Sequence, residues 1–217
     1  MRTDRIISSI PKDQLEDGAK CPHVNGDNAC PVNSTNNSKS DDSMWVYPSP
    51  KMFWEAMNRK GTLPAHLTDP SSPKTQEELD WIVTIHNVVN EQCWQEICKW
   101  ERFRRLGCEN ESDTDNKNPV LQRFLGRPDD LSPRAWFKST ILGYRRPFDR
   151  HDWYVRSSNN NNVRRYIIDF YTGKDPNGTA SFYLDVRPAI DTFDAVNLRM
   201  RKYLCEKMKE FKQYFNK

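Results

Sequence analysis

Residues 75–107 read TQEELDWIVTIHNVVNEQCWQEICKWERFRRLG, with no Pro or Gly before the last position. An uninterrupted helix of about thirty residues at ~1.5 Å each is roughly 45 Å long, so any fold has to be built along it. Thr75 and Glu78 stand at capping-box spacing, which predicts the start. Gly107, following Arg102, Arg104 and Arg105, predicts the stop, because cations suit the carbonyl end of a helix. Leu79, Ile82, Val83, His86, Val89, Cys93, Ile97 and Trp100 recur at three-and-four spacing and predict a buried stripe. His86 is the polar exception in it.

Shorter elements gather around this spine. Ser49 predicts the N-cap of a helix over 51–59, stopped by Gly61, with Met52, Phe53, Ala56 and Met57 on one face. Residues 121–125 form a short apolar piece. Ser132 and Pro133 open a further helix that Gly143 ends. From Trp153 the period changes. Runs 152–156, 163–172 and 181–186 are β-branched and aromatic, separated by Asn-, Gly- and Pro-rich turns, which predicts an antiparallel meander over about 152–187. A last amphipathic helix covers about 189–214, with Phe193, Val196, Met200, Tyr203, Leu204, Met208 and Phe211 on its predicted buried side. The fold class is α+β: a small antiparallel β-meander packed with a long central helix and a C-terminal helix. Segment 13–43 is polar and rich in Asn and Ser, too poor in apolar surface to offset its ordering entropy. Residues 1–43 are therefore expected to be a flexible arm, and 44–217 a single domain.

Composition removes several functions. A net charge of +3 with both signs interspersed argues against a nucleic-acid binder. No run approaches the ~20 apolar residues of a membrane span, and the first twenty residues are too polar for a signal-peptide core. Six cysteines without paired zinc spacing predict neither a disulfide scaffold nor a structural metal, so Cys93, Cys98 and Cys205 read as small core residues. There is no Gly-rich phosphate loop and no nucleophile elbow.

Three places carry chemistry. His86 is either a core histidine hydrogen-bonded to Asn90 one turn on, or a neutral imidazole facing an apolar pocket, as an axial haem ligand must be. Helix spacing does not choose between them. In PFDRHDW, Asp149 and Asp152 flank His151, with Arg145, Arg146 and Arg150 nearby. The block reads either as a proton-handling or substrate-supporting histidine or as a hydrogen-bonded turn entering a strand. Finally, Cys21 and Cys30 each precede a Pro in the N-terminal arm, as weak haem-iron ligands or as incidental cysteines of a tail.

The blocks WVYPSPKMFWEAMNRKG, IHNVVNEQCW, FLGRPDDLSPRAW, LGYRRPFDRHDWYV, VRRYIIDFYTG and FYLDVRPAID, in this order over roughly residues 43–200, resemble the holocytochrome-c synthase (cytochrome c haem lyase) family. The resemblance implies a lyase that joins the vinyl groups of haem b to the Cys-x-x-Cys-His thiols of apocytochrome c. It implies His86 as axial haem ligand, with Asn90 or Glu91 hydrogen-bonded to its other ring nitrogen and His151 as a second functional histidine. It also implies haem contacts from Cys21 and Cys30 and an aromatic wall from the Trp45–Phe53–Trp54 region. Trp94 and Trp100 are candidate groove residues for the substrate's N-terminal helix, with core packing as the other reading. Arg residues near His151, and Arg187, are candidate partners of the haem propionates. The implied setting is the mitochondrial intermembrane space, peripheral on the inner membrane, with no nucleic acid. The segment ISSIPK precedes the Cys-Pro pairs, whereas the family order places it after them. The chain has no Cys-x-x-Cys-His of its own, which fits a catalyst acting on another protein. A non-catalytic haem carrier or sensor and a scaffold with a satisfied core histidine are the readings from other classes.

Overall fold

The computed structural model describes residues 1–13, 43–108, 119–157 and 162–215. Their architecture is α+β, with a two-stranded and a four-stranded antiparallel sheet among helices. The contacts divide the chain into two units, Met1–Trp94 and Gln95–Lys217, and the division falls inside the long helix.

In the first unit, β1 (Ile7–Pro11) pairs antiparallel with β2 (Met44–Val46). The expectation of a flexible arm from residue 1 is thus corrected for its beginning. Alternation along ISSIP buries Ser8 and Ile10, the latter 1% exposed, and a strand needs only such a two-residue period to gain a covered face. Cys21 and Cys30 lie outside the described residues. Helix α1 (Pro50–Arg59) starts as expected: the Met52 N–H donates to Ser49 Oγ at 3.3 Å, with Pro50 in the first turn. Helix α2 (Pro73–Leu106) begins two residues before the expected capping box. Proline fixes its own φ near the helical value and needs no amide partner in the first turn, so Pro73 starts the helix and the Gln76 N–H donates to the Ser72 carbonyl at 3.1 Å. Thr75 is consequently buried within the helix, and Glu78 turns to His66 at 3.4 Å and Lys74 at 3.9 Å instead of to Thr75. At the other end Gly107 adopts φ 71° and its N–H donates to the Phe103 carbonyl at 2.8 Å, the stop that the sequence predicts.

The second unit is a sheet in the order β3 (Val120–Gly126), β4 (Asp149–Arg156), β5 (Val163–Lys174), β6 (Ala180–Pro188), accompanied by α3 (Pro133–Ile141) and α4 (Phe193–Phe215). The meander has one strand more than expected, because the apolar piece at 121–125 pairs along β4, with Phe124 opposite Trp153 and Gly126 opposite His151. Strand β4 also starts earlier than expected, so Asp149, Arg150 and His151 belong to the sheet rather than to a turn before it. Strand β5 is covered on both faces: Tyr166, Ile168 and Phe170 are buried on one, Ile167 and Asp169 on the other. Trp100, near the end of α2, donates from Nε1 to the Val186 carbonyl at 2.8 Å, and Tyr166 donates to Glu101 at 2.7 Å. That hydroxyl is held far from ionising by burial and then by the Glu101 charge.

Two expectations about the last helix are overturned. Its predicted buried side, from Phe193 and Val196 through Met200, Tyr203, Leu204, Met208 and Phe211, is exposed, every member between 37% and 86%. Helix α4 packs instead through Ala195, Leu198 and Cys205. The anchors that fix this rotation are a Cys108–Cys205 disulfide, the Lys202 ammonium 3.8 Å from the Trp100 ring centre, and the Arg164–Asp194 ion pair at 3.1 Å. Cys205 is therefore a cross-link rather than a free core residue. Cys93 and Cys98 do remain thiols, and burial pushes the Cys98 thiol up to about 11.

Candidate functional site

His86 lies in the first unit, on the stretch of α2 that follows Leu79 and Val83. Leu79 and Cys93 stand seven residues before and after it, two turns away on the same helix face, and both are fully buried. His86 shares their register yet is exposed. The stripe read from the sequence is thus interrupted at the imidazole, which is not a core histidine. Its ring stands 5.2 Å from the Phe53 ring at an interplanar angle of 49°. Phe53 is delivered by α1, whose start is fixed by the Ser49 cap and whose body is tied down by Trp54, donating from Nε1 to the Leu67 carbonyl at 2.8 Å. One turn from His86 on α2, Ile82 and Val89 are half-buried, while the exposed Trp81, Ile85 and Val88 share a different side of the helix. An exposed imidazole with an aromatic ring against it and apolar side chains one turn away suits a flat, apolar ligand whose metal takes imidazole nitrogen.

The residues expected to support His86 divide. Asn90 is half-buried one turn beyond it. Glu91 is engaged elsewhere: its carboxylate accepts from the Ser9 N–H at 3.1 Å, from the Ser9 hydroxyl, and from Tyr47 at 2.9 Å. It clasps β1 and β2 onto α2, and burial, followed by this carboxylate, pushes the Tyr47 phenol far upward. The expectation that Glu91 tunes the imidazole is replaced by this clasp. Sequence reasoning missed Ser9 and Tyr47, and nothing local in ISSIP signals a carboxylate more than eighty residues away. Trp94 is 5% and Trp100 9% exposed, so both serve packing rather than an open groove.

His151 belongs to the second unit. Its Nε2 is 3.1 Å from Asp149 Oδ2, its ring meets Phe170 edge-on at 4.9 Å, and Phe124 lies 6.3 Å away. Its Nδ1 is buried and makes no hydrogen bond. Only one of the two neighbouring carboxylates reaches it, because successive side chains of a strand point to opposite faces. Asp152, fully buried, faces the other way with Arg150 (3.0 Å), Arg165 (2.8 Å) and Arg127 (3.4 Å) around it. Arg165 extends this network to Asp191, whose carboxyl it holds below the usual aspartate range. A second buried pair joins Arg187 to Asp169, with Ser132 bonded to both. Beside it, burial and the neighbouring Arg187 and Arg134 charges push the Arg199 guanidinium down to about 10. Arg150 and Arg187 are thus committed to internal carboxylates and not available to propionates, whereas Arg145 and Arg146 are exposed.

Comparison with known proteins follows the same lines. The family model described as "Cytochrome c/c1 heme lyase" matches residues 1–203. Holocytochrome-c synthase of Saccharomyces cerevisiae is 37% identical over 217 residues, 93% of this chain and 67% of that protein. Probable holocytochrome-c-type synthase of Caenorhabditis elegans is 39% identical over 163 residues, 74% of this chain and 53% of that protein. Putative holocytochrome-c1 synthase of Chaetomium thermophilum is 39% identical over 205 residues, 90% of this chain and 61% of that protein. The matches thus span between about half and two thirds of these relatives' lengths. No solved structure matches.

Proposed function

The chain belongs to the cytochrome c/c1 haem lyase family, and from that premise we propose that it is the enzyme joining haem b covalently to apocytochrome c, with His86 as axial ligand of the haem substrate. The observation that carries the assignment is the position of His86: in the register of a buried stripe, yet exposed, with Phe53 against its ring. A porphyrin seated there packs against Phe53, while the imidazole holds the iron from one side. The histidine of the substrate's Cys-x-x-Cys-His takes the other side, which sets the two thiols over the vinyl edges. Each thioether then forms by addition of S–H across a vinyl double bond. The sulfur bonds one carbon and the proton goes to the other, so no oxidant is needed. Proximity is the main lever, since holding reacting atoms near contact replaces a bimolecular encounter and is worth up to about 7–11 kcal/mol. Asn90 is the remaining candidate to orient the imidazole, because Glu91 serves the clasp. His151, paired with Asp149 and packed on Phe170, acts through the sheet as a support rather than at the reacting atoms. The same reading sets the reaction in the mitochondrial intermembrane space.

The test compares wild type with His86→Ala, each co-expressed with apocytochrome c in cells lacking other attachment machinery. Covalent cytochrome with wild type, together with loss of bound haem and of product in the variant, is the expected result. Haem bound by wild type without covalent product would instead indicate a carrier. A variant as active as wild type would remove His86 from the site.

A further inference from the structure

On the face of the second unit's sheet turned away from His151, strand alternation brings Asp169, Tyr171, Asp185 and Arg187 together. Asp169 stands directly opposite Asp185, and like charges so placed repel unless a cation bridges them. Arg187 is that bridge: it donates to Asp169 Oδ2 and lies 3.1 Å from Asp185 Oδ2. The Ser132 hydroxyl donates to the same Asp169 oxygen, and Arg134 of α3 stands 3.5 Å from Asp185 Oδ1. The two carboxylates are thereby spent on two guanidinium groups. A third, Arg199, enters from α4 one turn after the buried Ala195, on the side of the helix that packs. It is half-buried and forms no hydrogen bond or ion pair with any described residue. Asp191, the other acid in its field, is held by Arg165. A cation withdrawn from water beside two others is costly without a counter-charge.

Around these arginines four polar atoms are buried and make no hydrogen bond within the protein: Arg199 Nε, the Tyr171 hydroxyl, Asp169 Oδ1 and Asp185 Oδ2. Asp169 is itself fully buried. Tyr171 and Arg199 share Arg134, Asp185 and Arg187 as charged neighbours, so the four belong to one cluster. We propose that the Arg134–Arg187–Arg199 cluster binds a phosphate group that retains a proton, as free hydrogen phosphate or as a monoester. Its oxygens accept from Arg199 Nε and the Tyr171 hydroxyl, and its O–H donates to the free oxygen of Asp169 or Asp185. The third guanidinium calls for an anion, while the unbonded carboxylate oxygens call for a donor. Chloride or a carboxylate meets only the first requirement and water only the second, whereas hydrogen phosphate meets both. Arg134, with its side chain 51% exposed, leaves the cluster open to solvent. The site lies wholly within the second unit and does not rest on the haem-attachment reading.

The experiment titrates the full chain, free of haem, with sodium phosphate in a calorimeter at an ionic strength held with sodium chloride. Saturable binding is expected. Sulfate, which has the charge but no proton to donate at neutral pH, should bind at least about ten-fold more weakly. Arg199→Met keeps much of the side chain's bulk and should weaken phosphate binding at least about ten-fold. Because it removes a cation that lacks a counter-charge, it should also melt higher than wild type in phosphate-free buffer, which the loss of a merely structural arginine would not do. Phosphate should then raise the Tm of wild type more than that of the variant, since the general effect of an excluded salt acts on both alike. Tyr171→Phe should weaken phosphate while the protein stays folded. Glycerol monophosphate binding as tightly as inorganic phosphate would assign the site to monoesters, and inorganic phosphate binding alone to the free ion; either supports the proposal. Wild type that takes up neither, or that binds sulfate equally well, overturns it. So does an Arg199→Met that melts lower in phosphate-free buffer, which would mean that water and the fold already satisfy the guanidinium. If phosphate fails while Arg199→Met weakens haem but not haem dimethyl ester, the cluster serves a propionate and the proposal falls. His86→Ala should bind phosphate as wild type does, so the two readings fail separately.

Discussion

His86 and His151, the two histidines that the sequence singles out, sit in opposite regimes. His86 stands on a helix in the first unit, exposed and with its ring against Phe53. His151 stands on a strand in the second unit, largely covered, its Nε2 beside Asp149 and its ring edge-on to Phe170. The surroundings differ in the same sense. One turn from His86 on either side stand the half-buried, apolar Ile82 and Val89. Behind His151, on the opposite face of β4, a fully buried Asp152 gathers three arginines. A ligand histidine has to keep a lone pair within reach of its metal, whereas a structural one is fixed by its partners. On the assignment proposed above, these tasks fall to an exposed helix face and an ion-paired sheet.

Replacing each histidine by alanine tests that separation most severely. His86→Ala should abolish both bound haem and covalent cytochrome while leaving the melting temperature within a degree or two, since an exposed side chain contributes little to packing. His151→Ala should do the reverse: it should lower the melting temperature and keep the haem absorption band of whatever protein remains folded. If His151→Ala instead lost the haem band at unchanged stability, the two histidines would share one task. Next in size is Asp152→Asn, which leaves three guanidinium groups around a neutral amide. Breaking a buried ion pair from one side typically costs about 3–5 kcal/mol, so denaturant midpoints should fall sharply, with haem binding by the folded fraction retained. A loss below about 1 kcal/mol would show that water reaches these arginines.

The smallest expected effect is one of pH. The Arg165 hydrogen bonds and charge lower the folded-state pKa of Asp191 beneath its unfolded value. The carboxylate therefore stabilises the fold above its unfolded pKa and ceases to do so as pH falls through the lowered folded value. Since the Asp191 side chain is 48% exposed, screening limits the effect to under about 1 kcal/mol. Asp191→Asn should thus be slightly less stable than wild type at neutral pH and equal to it in strong acid, as followed by urea melts across pH. A difference that persists at the acid end would mean that Asp191 acts through packing instead.

What the sequence determined by itself was local. The caps at Ser49 and Ser132, the stop at Gly107 and the uninterrupted body of α2 depend on residues within a turn or two of one another, and all four are realised. The α+β class and the strand character of 152–187 were equally legible, because a two-residue period and Gly- or Asn-rich turns are local too. The motif blocks identified the family for the same reason. Tertiary structure decided whatever needs a distant partner. Strand β1 exists because Ile7 can pair with Val46, and Glu91 became a clasp because Ser9 and Tyr47 arrive beside it. Asp152 left His151 because the DRHD block entered a strand, where neighbours alternate. Periodicity located an apolar stripe on α4 and a histidine within a stripe on α2, but it carries no information about which side of a helix will be covered. On α4 the anchors lie opposite the stripe and turn it outward. On α2 the cover stops at His86. Burial is a property of what packs against a residue, and spacing along the chain specifies only which residues share its face.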